Sequence, residues 1–384
     1  MRVTDRRLMA AVVAAVAGAF LFSSGTVGQP TRDTSDLRGQ DSARAQTLEA
    51  PTVVSAIDGI LHAFQDHSLV GIGDNHNSAQ EEDFYAALVR DPRFSTEVGN
   101  VVVEFGGAAH QDILDDYLNG QEVSYADLRT IWADVVGWIP TVTGLGYANF
   151  FAQVREVNLA LPRERRIHVW LGEPPIDWSK IKTRAAFEPI LAQRDTHAAE
   201  VIEKNILGPG KKAIVIYGDF HFYNDVLLRH LVEKQYPNAF FIVAMYAGYA
   251  TKACTASFEQ GISDWPVPAL ATPLRGTSLE SRLYRSDCDV EPRTSLPFTP
   301  SMSEAQKVQF GDAIERMDSG IDGDALLFLG KADTLTRTPM EPSIYLDLAY
   351  RREIERRLQL AFGQSFSGSA VELNPVSPHF IHPR

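Results

Sequence analysis

The 384-residue sequence is short of cysteine and of positive charge, and both shortages restrict what the protein does. Its two cysteines, Cys254 and Cys288, are too few for a disulfide-based scaffold or for a cysteine zinc site. There are 36 Lys and Arg residues against 49 Asp and Glu residues, which gives a formal net charge of −13. Because phosphate binding requires a basic surface, we expect no nucleic-acid partner.

Several well-known catalytic motifs are also missing. No G-x-S-x-G sequence occurs, which argues against the serine mechanism of the α/β-hydrolases. Gly71 and Gly73 do not begin a dinucleotide-binding G-x-G-x-x-G, because His76 occupies the last position. The segment Gly208–Lys211 is not a phosphate-binding loop, and no H-E-x-x-H motif for zinc is present.

One long apolar run is present, at the N-terminus. Three arginines precede residues 8–22, and small and polar residues follow them, which is the order of a secretory signal over residues 1–28. The run is shorter than the roughly 20 residues that span a bilayer, and an uncleaved N-terminal anchor is the alternative. Residues 29–48 have the composition of a flexible linker. We expect an exported protein, periplasmic or secreted, with no membrane span once the signal is removed.

The rest of the chain alternates between strand and helix patterns. Short, continuous apolar runs predict strands buried on both faces, as in a parallel sheet, at Ser68–Gly73, Asn100–Phe105, Arg166–Leu171, Ala213–Tyr217, Ala239–Met245 and Ala325–Leu329. Segments of helical period lie between them, at Gln80–Val89, Gln111–Leu118, Tyr147–Leu161, Ala185–Leu207 and Phe222–Lys234. The predicted fold class is α/β, a mostly parallel sheet flanked by helices, in one domain over residues 49–362.

A long segment interrupts this alternation. Residues 246–300 are rich in Ser, Thr and Pro and have little periodicity, which predicts an inserted loop region or lid. Both cysteines lie in it, and an oxidising compartment permits a Cys254–Cys288 disulfide, although two buried thiols would give the same sequence. Residues 363–384 are predicted to form an extended tail.

Carboxylates and histidines follow the predicted strands. Asp74 and His76 come after the first strand, Glu104 closes the second, and Asp219 and His221 come after the fourth. Ligands of open α/β sheets bind outside the carboxyl ends of the strands. If the strands are parallel, these side chains converge on one edge of the sheet, and parallel pairing is the assumption on which the site depends.

Two kinds of chemistry fit such a group, and the sequence leaves both open. A histidine activates water by general acid–base catalysis while a carboxylate orients its ring. Alternatively, imidazoles and carboxylates bind a divalent ion (Zn, Mn, Fe or Co), with Asp74, His76, Glu104 and His221 as the ligands. Tyr147 and two tryptophans, Trp138 and Trp178, are interpreted as core aromatics, with an apolar wall for a ligand as the alternative.

The order of these motifs resembles the erythromycin-esterase/ChaN-like superfamily, which includes macrolide esterases, haem-binding iron-uptake lipoproteins and Tiki/TraB metalloprotease-like proteins. The matching segments are Gly73-Asp74-Asn75-His76, Glu104, Arg194-Asp195, Gly218-Asp219-Phe220-His221 and Gly323–Gly330. The resemblance covers about residues 66–250 and, weakly, 320–360. Asp74 stands where the family usually has Glu, so the carboxylate is one methylene shorter.

The resemblance implies an exported hydrolase that cleaves an ester or amide of a small-molecule or peptide substrate. His76 would be the general base or a metal ligand, Asp74 and Glu104 would orient it or bind metal, and His221 would complete the site. Residues that would contact the substrate or support the site are Arg194, Asp195, Asp219, Glu173 and Asp177. Arg194 and Asp195 would either enter the site or hold their helix to its edge. The alternatives are a non-catalytic protein that binds haem or another iron compound, and a scaffold derived from an enzyme fold.

Overall fold

The structure, a computed structural model, describes residues 49–137, 144–223, 227–249, 251–283, 288, 323–339 and 341–362. The predicted signal segment, linker and tail lie outside these residues, and so does Trp138. The predicted domain boundaries therefore stay predictions. No helix in the described ranges has the length and apolar character needed to cross a membrane.

The described strands form one mixed sheet. The strands are β1 (Thr52–Ser55), β2 (Leu69–Asp74), β3 (Asn100–Gly107), β4 (His168–Glu173), β5 (Ala213–Gly218), β6 (Phe240–Met245), β7 (Ala269–Thr272) and β8 (Ala325–Phe328). Their order across the sheet is β1-β7-β8-β6-β2-β5-β3-β4. Pairing is parallel from β8 through to β4, whereas β7 is antiparallel to both of its neighbours, β1 and β8.

This architecture confirms the predicted α/β class and the parallel pairing on which the site depends. The six predicted strands correspond to β2, β3, β4, β5, β6 and β8, with ends that differ by no more than two residues. Two short strands, β1 and β7, were not predicted. The strand β7 lies inside residues 246–300, so part of the segment expected to be an inserted loop belongs to the sheet.

Helices cover both faces of the sheet. They are α1 (Ala56–Ala63), α2 (Ala79–Arg90), α3 (Phe94–Glu97), α4 (Gln111–Leu118), α5 (Tyr125–Ala133), α6 (Leu145–Ala160), α7 (Arg184–Leu191), α8 (Arg194–Ile202), α9 (Phe220–Tyr223), α10 (Leu228–Glu233), α11 (Lys252–Gln260), α12 (Ser278–Leu283), α13 (Ser343–Leu346) and α14 (Leu348–Phe362). Side chains alternate along β5: Ile214 and Ile216 pack with α2, α4 and α6, whereas Val215 and Tyr217 pack with α8 and α10.

Two of the predicted helices are divided. The segment predicted as one helix at 185–207 consists of α7, α8 and a π-helical turn at Glu203–Leu207. The break between α7 and α8 places Arg194 and Asp195 in the first turn of α8. Similarly, the segment predicted at 222–234 is formed by α9 and α10.

The two cysteines are bonded to each other. Cys254 lies in α11 and its partner Cys288 is buried, with 5.6 Å between their Cα atoms. Of the two alternatives that the sequence left open, the structure contains the disulfide. It joins residues that lie before and after strand β7 in the sequence.

Candidate acid–base site at the carboxyl edge of the sheet

Four neighbouring strands, β2, β5, β3 and β4, bring the candidate residues to one edge of the sheet. Asp74 is the last residue of β2, Glu104 lies in β3, Glu173 ends β4, and His221 follows β5 in α9. Because these strands are parallel, their carboxyl ends lie side by side. The residues are far apart in sequence, and the sheet topology alone brings them together.

Glu104 is at the centre of the group and is buried. Its Oε1 accepts a hydrogen bond from Arg194 Nη2 at 2.5 Å, and its Oε2 accepts one from the Gly218 backbone N–H at 2.6 Å. The Nε2 atoms of His76 and His221 lie 3.9 Å from Oε2 and 3.5 Å from Oε1. Burial alone would raise the pKa of Glu104, but the two histidines and Arg194 hold it well below its ordinary value.

His76 forms a dyad with Asp74. Its Nδ1 lies 2.7 Å from Asp74 Oδ2, so Nδ1 carries the proton that is donated to the carboxylate. With 20% of its side chain exposed, His76 is the most accessible member of the group. Burial lowers the pKa of its imidazole, but the charges of Glu104 and Asp74 outweigh that effect and raise it to about 9.

His221 forms a second, fully enclosed dyad with Asp195. The distance from His221 Nδ1 to Asp195 Oδ1 is 2.6 Å, and the Leu228 backbone N–H donates to the same oxygen at 2.9 Å. Burial opposes the charged imidazole, but Asp195 and Glu104 raise its pKa to about 10. His221 is therefore a cation over the whole neutral range.

Arg194 joins two strands through their carboxylates. Besides Glu104, it contacts Glu173, whose Oε1 accepts from Arg194 Nε at 2.7 Å. The other oxygen of Glu173 accepts from the backbone N–H groups of Val136 and Gly137, at 3.0 and 2.8 Å. Burial raises the pKa of Glu173. Arg194 thus does both things considered from the sequence: it enters the site and it holds α8 to the edge of the sheet.

The two remaining predicted residues lie differently. Asp177 is at the surface, where its carboxylate pairs with Lys180 at 2.9 Å and accepts from Ser179, so the structure does not bring it to the group. Asp219 is half-buried and fills the space beside Gly73, where a Cβ atom would lie 1.6 Å from its Oδ1. Asp219 therefore borders the His76 loop, and a side chain at position 73 would displace its carboxylate.

The residues that hold Asp74 and Asn75 in place were not predicted from the sequence as part of the site. The hydroxyls of Tyr85 and Tyr147 donate to Asp74, at 2.9 Å to Oδ1 and 2.5 Å to Oδ2. Glu81 accepts from the backbone and side-chain nitrogens of Asn75, both at 2.9 Å, and burial followed by the charge of Asp74 raises its pKa to about 8. The available signal was that a buried tyrosine hydroxyl needs a partner. Tyr147, interpreted as a core aromatic, does stack on Phe105.

The donor set does not fit a metal ion. In the described part of the chain, no three His, Cys, Asp or Glu side chains are arranged to bind one. At the centre of the four predicted ligands, both oxygens of Glu104 accept hydrogen bonds from N–H groups. A divalent cation at Glu104 would also lie against the Arg194 guanidinium.

Comparison with known proteins adds little to this description. No family model matches the chain, and no curated protein matches it. Among solved structures it is similar to the type III effector HopBA1, with a TM-score of 0.32 and 16% identity over 54% of this chain and 90% of that one. A Bacillus cereus protein has a TM-score of 0.35 and 11% identity, covering 51% of this chain and 70% of that one. ChaN of Campylobacter jejuni, in a structure of cofacial haem binding, has a TM-score of 0.30 and 12% identity, covering 52% of this chain and 88% of that one. Likenesses at these TM-scores carry no argument, and the family resemblance remains a prediction.

Proposed function

We propose that the protein is an exported hydrolase that cleaves an ester or amide bond with water activated by His76, without a metal ion. One observation carries this proposal. The His76 imidazole is fixed by Asp74 on one side, and its Nε2 faces Glu104 Oε2 across 3.9 Å on the other. That separation is too long for a direct hydrogen bond, and His76 is the member of the group that solvent reaches.

In the proposed reaction, Glu104 Oε2 and His76 Nε2 hold the attacking water between them. Neutral His76 takes one proton from this water as its oxygen adds to the substrate carbonyl carbon. Asp74 keeps the Nδ1–H tautomer and stabilises the imidazolium that forms. The imidazolium then gives its proton to the leaving oxygen or nitrogen as the carbonyl–heteroatom bond breaks, which returns the site to its starting state.

His221 and Arg194 support this reaction through Glu104. Both are cations, and both contact Glu104 Oε1, so they keep the carboxylate ionised and fix its position. In this scheme His221 is a permanent charge and His76 is the group that gains and loses a proton.

Turnover of a series of p-nitrophenyl esters tests the proposal. We expect His76→Ala to lower kcat/KM by at least about 100-fold, the usual contribution of a general base. His110→Ala is the matched control, because His110 also bonds an aspartate, Asp134 at 2.8 Å, but lies outside the group. Equal turnover in wild type and His76→Ala would contradict the assignment. Protein dialysed against a chelator should keep its activity.

Haem binding, the alternative from the sequence, is tested on the same preparation. His221 is buried, and Glu104 Oε2 lies 3.9 Å from His76 Nε2, which is too close for a porphyrin plane to fit at that nitrogen. We therefore expect the Soret band of added haemin to stay as it is in buffer without protein, and a saturable shift of that band would support the alternative.

We also propose export, which the leader-like composition of residues 1–28 supports. The Cys254–Cys288 disulfide is compatible with an oxidising compartment. Intact-mass measurement of protein collected from the exported fraction of a bacterial host should show the loss of about 28 residues. An unprocessed mass would instead support an N-terminal anchor.

A further inference from the structure

One buried acid of α2, Glu81, has no role in the reaction described above. It is 2% exposed and lies in the first turn of the helix that follows the His76 loop, residues 75–78. The negative charges of Asp74 and Asp219 disfavour its ionisation. Because burial and like charges both oppose the charged form of an acid, this is a costly position for a carboxylate. The hydrogen bonds of Glu81 show which residue it serves.

The sequence around Glu81 has the spacing of a helix capping box, but the structure uses the residue differently. Ser78 is the N-cap of α2, and Glu81 stands three residues later, where a capping box would turn the glutamate back to the Ser78 N–H. Instead, Glu81 Oε2 accepts from the Asn75 backbone N–H and Glu81 Oε1 accepts from Asn75 Nδ2, both at 2.9 Å. Both oxygens therefore bond one residue of the His76 loop and not the start of the helix.

Asn75 lies between the two members of the His76 dyad. Asp74 ends β2, where sheet pairing with Gly218 fixes its backbone, whereas His76 lies beyond the strand in the loop. The His76 ring reaches back to Asp74, with 2.7 Å between Nδ1 and Oδ2, so its direction depends on the path of the backbone through Asn75. Glu81 bonds both the backbone and the side chain of Asn75, and two bonds to one residue fix its rotation as well as its place.

We propose that Glu81 is a positioning residue of the site: by holding Asn75 it keeps the His76 ring between Asp74 and Glu104. Its effect on turnover rests on the proposed hydrolase function, but the position of the ring is measurable without turnover. Glu81 contacts neither the water nor the substrate in this scheme and acts only through Asn75. A misplacement of about 1 Å at a catalytic group costs on the order of 100-fold in rate, so the loss of both bonds has a measurable effect.

Glu81→Gln should lower turnover without lowering stability. Burial and the charge of Asp74 raise the pKa of Glu81 from its ordinary value of 4.5 to about 8. Its ionisation therefore destabilises the folded state increasingly as the pH rises from 4.5 to 8, and fully above 8. Glutamine has the same shape, removes that charge and places an NH₂ group against a donor of Asn75. At pH 9 we expect an unfolding midpoint in denaturant no lower than that of the wild type. In p-nitrophenyl ester hydrolysis, kcat should fall at least about tenfold and KM should stay within about twofold.

Glu82→Gln is the matched control. Glu82 is next along α2, is 4% exposed and also experiences the charge of Asp74, but Thr338 and not Asn75 bonds its carboxylate. The kcat of this variant should equal that of the wild type. Glu81→Asp separates position from charge, because it keeps the carboxylate but draws it back from Asn75 by one methylene. Its kcat should fall as well.

Wild-type kcat in Glu81→Gln or in Glu81→Asp would overturn the proposal, and so would equal falls in Glu81→Gln and Glu82→Gln. A fall in kcat that accompanies a lower unfolding midpoint in Glu81→Gln would also overturn it, because that pattern belongs to a purely structural residue. Circular dichroism confirms that each variant is folded, and Glu81→Asp decides the result if Glu81→Gln does not fold.

Solvent exchange of the His76 Nδ1 proton separates this proposal from the proposed function, because it needs no turnover. The bond to Asp74 slows this exchange, which NMR follows in protein that contains ¹⁵N-labelled histidine. The exchange should be at least about tenfold faster in Glu81→Gln and unchanged in Glu82→Gln. Equal exchange in both variants and the wild type would overturn the role of Glu81 and leave the hydrolase intact. Faster exchange in Glu81→Gln, when the wild type hydrolyses no ester, would retain the role of Glu81 and contradict the hydrolase.

Discussion

Glu104 is the residue on which the ionisation of the site depends. It contacts Arg194, His221 and the Gly218 N–H and faces His76, so its negative charge balances three cationic side chains. Among the groups that raise the pKa of His76, Glu104 has the largest effect. We predict that Glu104→Gln lowers the pKa of His76 from about 9 towards its ordinary value, as measured by NMR titration. Asp177→Asn removes a remote charge and should leave it unchanged, and an unshifted His76 in Glu104→Gln would contradict the central role of Glu104.

The two imidazoles also make stability depend on pH. Both have folded-state pKa values above the ordinary value of 6.5, about 9 for His76 and about 10 for His221. Their stabilisation is fully present below pH 6.5 and is lost as the pH rises through 9 and 10. Denaturant unfolding between pH 7 and 10.5 should show a falling free energy of unfolding. His221→Asn should flatten the fall, and a free energy that stays constant to pH 10.5 would contradict the assigned charges.

Of the individual site residues, the sequence identifies those that follow strands and few others. The sequence indicates Asp74, His76, Glu104 and His221 because polar residues at the ends of apolar runs are conspicuous. It does not indicate the tyrosine hydroxyls that bond Asp74. A helical pattern shows that Tyr85 and Tyr147 are buried, but it does not show where their hydroxyls point. Asp177 was selected by proximity in sequence to Glu173, yet the turn after β4 directs it to the surface.

The element with most influence on the site is the first turn of α8. Its Arg194 contacts Glu104 and Glu173 and its Asp195 contacts His221, so one helix end joins strands β3 and β4 and helix α9. We predict that Arg194→Met costs about 3–5 kcal/mol of unfolding free energy, because it leaves two buried carboxylates without their cation. Arg184→Met, which breaks an exposed pair with Glu188, should cost about 0–1 kcal/mol. Equal losses in chemical denaturation would contradict this account.

Elements were predictable where burial was continuous. The six continuous apolar runs form strands because neighbouring elements cover both of their faces. The two missed strands lack a continuous run of large apolar residues: β1 is polar at both ends, and β7 has two alanines in place of larger side chains. The division between α7 and α8 was missed because apolar periodicity continues across it, although it determines where Arg194 and Asp195 lie.

In the whole molecule, the disulfide and the site are near opposite ends of the strand order: the disulfide flanks β7, and the site lies on β2, β5, β3 and β4. It closes a loop with a sequence separation of 34 residues around β7, which is antiparallel to its neighbours. We predict that replacing both cysteines with serine costs about 2–4 kcal/mol, because the unfolded chain regains the entropy of the open loop. Thermal unfolding measures this loss. The rate of ester turnover by this variant at 25 °C should equal that of the wild type. A large fall in its kcat would show that the disulfide-bonded region around β7 contributes to the site.

The fold also gathers several acidic residues in one place. Asp74, Glu104, Glu173 and Asp195 are buried at one sheet edge and are balanced there by Arg194 and two imidazolium groups. The composition gives the net charge but not this arrangement, which depends on the order of the strands. After β4, at one end of the sheet, the chain returns to form β5 between β3 and β2, and β6 then forms on the other side of β2. The order of strands across the sheet was not predicted from the sequence.

The pH dependence of kcat/KM for ester hydrolysis, in buffer that contains a chelator, tests the central claim most directly. If His76 with its pKa of about 9 is the general base, the logarithm of kcat/KM rises by one per pH unit and levels off near pH 9. The rise should be absent in His76→Ala. A flat profile in the wild type, or a rate that appears only when a divalent metal is added, would contradict the account.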